Sequence, residues 1–233
     1  MIDCISVENM RRSDAHTIAN LVPSLELMHR AAYGVFLASE WKPPVAIVAG
    51  SGNNGGDGYA LACILAKKGI DCTVFTVGSK VSADSAYYKD QALSAGIPIK
   101  PFENCSLNGY ATVVDCLLGT GFQGALREDY RKAIEAICNH GAYTVSVDIN
   151  SGMNGDTGSF DLAVRSDLTV TIGFVKRGLV AQSAQSVMKK LVCVDIGIEL
   201  LEQEWKICDA AEPMDDHCIP CPKWLDMNVI KAY

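Results

Sequence analysis

No run of apolar residues in this chain of 233 is long enough to span a bilayer, which takes about 20 in a row. The N-terminal stretch Met1–Ala15 lacks a basic region followed by an apolar one. No secretory signal is therefore expected, and the cytoplasm is the expected location. Positive charge is in the minority, with 20 Lys and Arg against 27 Asp and Glu and a net charge of −7. Binding to a phosphate backbone depends on clustered cations, so nucleic acid is not the expected main partner. The pairs Arg11-Arg12 and Lys67-Lys68 read as solvated faces. The ten cysteines do not form a disulfide framework. Most sit in apolar runs such as Val192-Cys193-Val194, where a thiol behaves as a small hydrophobe, and reduced thiols are expected. Cys218-Ile219-Pro220-Cys221 has the spacing of half a zinc site, but there is no second such pair. Cys208, His217, Cys218 and Cys221 therefore read as a thiol-bearing tail.

What is present is an alternation of short apolar runs with helical periodicity. Residues 6–21 and 25–40 read as two opening helices, the second with apolar positions recurring at three and four. Val45–Ala49 is too short for a helix and is bounded by Pro and Gly, so it reads as a buried strand. Further strands are expected at 72–77, 111–118, 143–149, 168–173 and 191–196, with helices at 56–69, 82–95 and 129–139. This order predicts an α/β fold, a Rossmann-like, doubly wound three-layer αβα arrangement around a mostly parallel sheet. Residues 1–205 form the expected domain. Residues 206–233 read as a C-terminal extension or linker, since periodicity fades from 199 to 223.

In such sheets ligands bind beyond the carboxyl ends of the strands. Three polar, glycine-containing segments fall there. The first, Gly50-Ser51-Gly52-Asn53-Asn54-Gly55-Gly56-Asp57-Gly58, contains a G-x-G-x-x-G turn suited to phosphate. An ordinary dinucleotide fingerprint also needs an acid near the end of the second strand, and Phe75-Thr76-Val77-Gly78 has none. The second segment runs from Asp115 through Gly119-Thr120-Gly121-Phe122-Gln123-Gly124-Ala125. An Asp inside an apolar strand is costly unless paired or bound to a cation. The third is Asp148-Ile149-Asn150-Ser151-Gly152, with Asp148 at a strand end where a catalytic carboxylate would sit. Asn54, Asp115 and Ser151 together offer hard oxygen ligands with one negative charge, which suits a monovalent cation.

These segments resemble, in order, the G-x-GNNGGDG loop, the VDA-(I/L)-(F/L)-GTGF segment and the D-(I/V)-(P/N)-SG segment of the YjeF N-terminal family of NAD(P)H-hydrate epimerases. Thr169–Leu179 resembles that family's TVTF…PK-x-GL stretch, and Met10-Arg11…Asp14 with Leu27-Met28 resembles its opening helices. The resemblance implies a Rossmann-like enzyme that interconverts the R and S forms of NADHX and NADPHX, two hydrated nicotinamide cofactors. It implies potassium held by Asn54, Asp115 and Ser151. It implies substrate contacts from Asn53, Asn54, Gly55, Gly56, Asp57, Gly119–Ala125 and Asp148; inversion at C6 needs an acid and a base, and Asp148 at its strand end is the candidate for both roles in turn. The implied partner is an S-specific dehydratase. Trp224–Tyr233 resembles the segment before that dehydratase in fused members. Two departures stand out: His29 where the family often has Glu, and Asn150 where Pro is commoner. The oligomeric state is left open, a homodimer included. The alternative reading is a non-catalytic nucleotide- or RNA-binding module of the same type.

Overall fold

The computed structural model describes residues 1–103, 106–208 and 216–233. The main sheet has eight strands, all parallel. They are β2 (Val45–Ala49), β3 (Cys72–Thr76), β4 (Ile99–Pro101), β5 (Thr112–Cys116), β6 (Tyr143–Val147), β7 (Leu168–Ile172), β9 (Lys190–Asp195) and β12 (Asp226–Lys231). Their order is β12-β9-β7-β6-β5-β2-β3-β4. The chain enters the sheet at β2 and extends it first towards β3 and β4, then back past β5. The order therefore reverses between β2 and β5, and a crevice opens beyond their carboxyl ends.

Strand periodicity explains the layers. Ile47 and Ala49 point into one core with Leu27, Val35, Leu61 and Leu65, from the helices α2 (Ser24–Ala38) and α3 (Asn53–Lys67). Ala46 and Val48 point the other way, onto Tyr130, Ala133, Ile134 and Ile137 of α5 (Glu128–His140). Every residue of β2 and β5 is buried, as a sheet covered on both faces requires. Helix α1 (Val7–Asn20) is capped by Ser6, whose hydroxyl accepts from Asn9 N at 3.2 Å, and α4 (Ala83–Ser94) by Ser82 in the same way. Helix α5 ends on Gly141, whose φ of 78° closes the helix in the left-handed region.

A second sheet of four short strands lies beside the first: β1 (Ile2–Ile5), β8 (Val175–Lys176), β10 (Trp205–Cys208) and β11 (Cys218–Pro220), in the order β11-β10-β1-β8. Its Cys4, Val175 and Ile207 share a core with Leu191 and Cys193 of β9. The described residues of 206–233 thus pair with both sheets, and β12 lies parallel to β9 at the edge of the large one. Cys208 and Cys218 are joined in a disulfide between β10 and β11, which corrects the expectation of reduced thiols for this pair. Among the described residues no group of three His, Cys, Asp or Glu could hold a metal ion, and no helix is long and apolar enough to cross a membrane. Cys105 lies outside the described residues.

Candidate functional site

The crevice between β2 and β5 opens into a cavity of about 700 Å³. That is ample for a cofactor-sized ligand, since such pockets run to roughly 300–1,000 Å³. Its first wall is the start of α3. The glycine-rich segment is less a loop than the expected helix boundary implied: the helix begins at Asn53, three residues early, and Gly52 is its N-cap with no side-chain capping bond. Its first-turn N–H groups are thereby left to a ligand. The glycines serve close approach. A Cβ on Gly50 would overlap the Leu117 carbonyl, and one on Gly55 would overlap the Gly50 carbonyl. The turn therefore packs flat against the end of β5.

Asn53, Asn54 and Asp57 from this helix line the cavity, together with Gly119, Thr120, Gly121, Phe122, Gln123, Ala125 and Asp148. Gly55 and Gly56 are buried behind the wall. Gly124 faces instead a smaller cleft on the far side of the same loop, which Phe122 and Gln123 also border. Asp115 and Ser151 lie beneath the cavity, fully buried.

Asp115 sits mid-sheet, between Val48 of β2 and Ser146 of β6 in register. Four donors converge on it. Oδ1 accepts from Leu117 N at 3.2 Å and Ser151 Oγ at 2.5 Å. Oδ2 accepts from Ser146 Oγ and Ser151 N, both at 2.9 Å. Burial raises its pKa above the usual carboxylate value, and the Ser151, Leu117 and Ser146 donors oppose the rise. Ser151 Oγ also accepts from Leu118 N at 2.8 Å, so Asp115 and Ser151 together pin the loop that carries Gly119–Ala125. Asn54 is different. It is buried, yet neither its Oδ1 nor its Nδ2 has a hydrogen-bond partner. Its Cβ lies 3.4 Å from where a Gly119 Cβ would stand, and Asp148 Oδ2 lies 3.1 Å from that same point.

Asp148 follows β6 with φ 69°, the one non-glycine residue with positive φ among those described. Backbone strain of this kind gathers at functional positions. Its Oδ1 is held by Lys176 Nζ at 2.5 Å, and Thr120 N approaches its Oδ2 at 3.4 Å. Lys176 is 1% exposed and also donates to Ile172 O at 2.6 Å and Thr171 Oγ1 at 3.1 Å. Sequence reasoning did not single out this lysine as a site residue. Its signal was a cation inside the apolar stretch Ile172–Val180. Arg11 and Arg127 were likewise missed as cavity residues. Arg11 donates to Thr120 O at 3.0 Å, and Arg127 lies over the Tyr130 ring at 4.7 Å. Asp14 of α1 and Asp84 of α4 also face the cavity. His29 does not: it is exposed on α2 and stacked on Tyr33, so the departure from Glu falls outside the site. Asn150 earns its place structurally. Its buried amide nitrogen shares its two hydrogens among Val164 O, Ser166 Oγ and Val187 O, and its oxygen accepts from Thr169 Oγ1, contacts that a proline could not make.

The sequence model of the YjeF-related protein N-terminus matches residues 24–178, which include every wall of this cavity except α1 and the edge near Ile196. The chain belongs to that family. The NAD(P)H-hydrate epimerase of Limosilactobacillus reuteri (strain DSM 20016) is 37% identical over 183 residues, 75% of this chain and 86% of the relative. That of Lentilactobacillus buchneri is 33% identical over 211 residues, 85% of this chain and 96% of the relative. The bifunctional NAD(P)H-hydrate repair enzyme Nnr of Archaeoglobus fulgidus is 34% identical over 84% of this chain, which spans 42% of that longer protein. Among solved structures, yeast Ynu0 (YNL200c) superposes with a TM-score of 0.72 at 20% identity, covering 87% of this chain and 97% of the yeast one. The YjeF-type member described here therefore shares its αβα fold with that protein.

Proposed function

We propose that this chain is an isomerase that interconverts the R and S forms of NADHX and NADPHX. Family membership and relatives named NAD(P)H-hydrate epimerase over nearly their whole length support the reaction class. The observation that carries the reading in the structure is Asp148: a carboxylate on strained backbone, clamped by a buried lysine, at the edge of a dinucleotide-sized cavity. In the hydrate, C6 bears a hydroxyl next to ring nitrogen N1. Departure of the hydroxyl leaves a cation shared with N1, and water returning to the other face inverts the centre. An acid must assist departure and a base must activate water, and Asp148 is the carboxyl we take to exchange a proton at C6. The uncapped start of α3, with Arg11 and Arg127, suits the diphosphate. The test mixes R-NADHX with a separate S-specific dehydratase, with and without this chain. Consumption of the R form is expected to become catalytic in this chain; an unchanged rate would overturn the reading. The dehydratase is the implied functional partner, and the Archaeoglobus relative is named a bifunctional repair enzyme.

A potassium ion fits the residues present. Asn54 Oδ1 is buried without a partner, as a ligand oxygen would be, and the buried carboxylate of Asp115 offers one negative charge. Asn54, Asp115 and Ser151 would hold it. When bound it would supply positive charge that ties α3 to the loop after β5. At equal ionic strength, KCl is expected to raise the melting temperature above that in choline chloride. At tenfold Kd the gain is about 1.4 kcal/mol. Identical melting in the two salts would remove potassium from the site.

A further inference from the structure

Inversion at C6 makes a demand on both faces of the ring, and Asp148 is a single carboxyl. The hydroxyl departs from one face and water arrives on the other. Asp148 is fixed at Oδ1 by Lys176 and at its backbone N–H by Val170 O at 2.7 Å, so it does not sweep across a ring. Three other carboxyls, Asp57, Asp14 and Asp84, line the same cavity, and the first two interact with the charge of Asp148. Asp57 stands on α3, one turn beyond Asn54, and Asp14 stands on α1. Neither carboxyl has a hydrogen-bond or ion-pair partner among the described residues, although both residues are partly buried. Both carboxyls therefore rely on whatever fills the cavity for their hydrogen bonds, and a reactive role is a recognised reason for leaving such a group unpaired.

We propose that Asp57 is the second acid–base group of the epimerisation, working on the ring face that Asp148 does not reach. This rests on the epimerase reading above. In one direction Asp57 gives its proton to the C6 hydroxyl, the C6–O bond breaks, and water leaves. The N1 lone pair forms an N1=C6 double bond. Water then adds to the other face of C6, the double-bond electrons return to N1, and the surplus proton passes to the Asp148 carboxylate. One proton is given and one taken. It returns to Asp57 through bulk water, or is carried back by a turnover in the opposite sense.

The surroundings favour this division. Burial raises the Asp57 carboxyl well above the usual carboxylate value, with Asp148 and Asp14 pushing the same way and Lys176 against. Asp148 meanwhile is paired with the ammonium of Lys176. Two carboxyls in unlike surroundings are how one site supplies an acid and a base together. Asp57 is faced by Asp14 from α1, by Asp148 and Lys176 from the ends of β6 and β8, and by Cys116 from β5. Asp84 and Tyr88 face it from α4, and α2 presents Met28. Asp14 is a positioning residue here. Its charge adds to burial and to the Asp148 charge in raising the Asp57 carboxyl.

The experiment uses the full chain in potassium buffer, with R-NADHX and the separate dehydratase, on the wild type and on Asp57→Asn, Asp57→Glu and Asp14→Asn. Binding of NADPH reports an intact cavity. Asp57→Asn is expected to lower kcat about 100-fold or more, with KM moved less than about threefold. Asp57→Glu should recover a measurable part of the rate. The basic limb of the wild-type pH profile should report proton loss from Asp57. Removing the Asp14 charge makes ionised Asp57 less costly, so in Asp14→Asn that limb should move to lower pH. A kcat for Asp57→Asn within about threefold of wild type would overturn the proposal. So would equal rates for the Asn and Glu variants, or a basic limb that Asp14→Asn leaves in place. An inactive wild type would instead overturn the epimerase reading itself.

Discussion

Asp148→Asn is expected to lower epimerisation by about 10²–10⁴-fold while NADPH still binds. The choice of Asn follows from the backbone. Asp148 holds φ 69°, and Asn is among the few side chains that tolerate the left-handed region, so the turn after β6 should survive. The Asn oxygen can still accept from Lys176, which also keeps Ile172 O and Thr171 Oγ1. What is lost is the negative charge and the capacity to take a proton. A purely structural role would show as weakened binding and a lowered melting temperature with a near-normal rate per bound substrate. Turnover within a few-fold of wild type would dismiss Asp148 as the acid–base group. Ala at this position would be a poorer probe, because it would strain the backbone and strand Lys176 at once.

The sheet was legible in the sequence because its central strands are uniform apolar runs between glycines and prolines. Val45–Ala49 is read residue for residue, and the strands expected at 143–149 and 168–173 shorten only at their carboxyl ends. The start of α3 was misplaced by three residues. Gly52-Asn53-Asn54-Gly55-Gly56 has loop composition, and tertiary contact with the end of β5 overrides it. The second sheet was invisible for another reason. Strand β1 pairs Ile2 with Ile207, some two hundred residues away, and strands of two to four residues carry too little alternation to register. Strand β12 is an edge strand with mostly exposed residues, so its 226–231 segment read as part of a tail.

The site divides along the same line. Asp115 and Asp148 declared themselves because carboxylates inside or ending apolar strands are conspicuous. The polar loops after β2 and β5 converge because parallel strands deliver their carboxyl ends to one edge. Arg11, Asp14 and Arg127 had no such signal, and Lys176 only that of a cation in an apolar stretch. Arg11 and Arg127 are exposed, Arg11 read as part of a solvated pair and Arg127 went unread, and it is the placement of α1 and α5 beside the loop after β5 that brings them to the cavity. Lys176 depends on a partner 28 residues earlier, across two strands. Pairings of this kind are made by the fold, and single-residue chemistry cannot anticipate them.

Asp115→Asn is expected to cost about 3 kcal/mol of stability, although the two side chains have the same shape. The reason lies in the four donors. One carboxylate oxygen receives Leu117 N–H and the Ser151 hydroxyl, and the other receives Ser151 N–H and the Ser146 hydroxyl. Hydroxyls can turn their hydrogens away from a new neighbour; backbone N–H groups cannot. Whichever way the Asn amide is oriented, its NH₂ meets a backbone N–H from Leu117 or Ser151, in a site with no exposure to water. The melting temperature should fall by roughly 6–12 °C, at about 2–4 °C per kcal/mol for a chain of this size. A fall of less than about 2 °C would mean that the four bonds contribute little. The same change removes the one charge offered to the proposed cation, so the stabilisation by KCl over choline chloride should vanish with it. A variant that melts lower yet still responds to potassium would separate the two roles. It would leave Asp115 as the clamp that joins the loop after β5 to Ser151 and place the cation elsewhere.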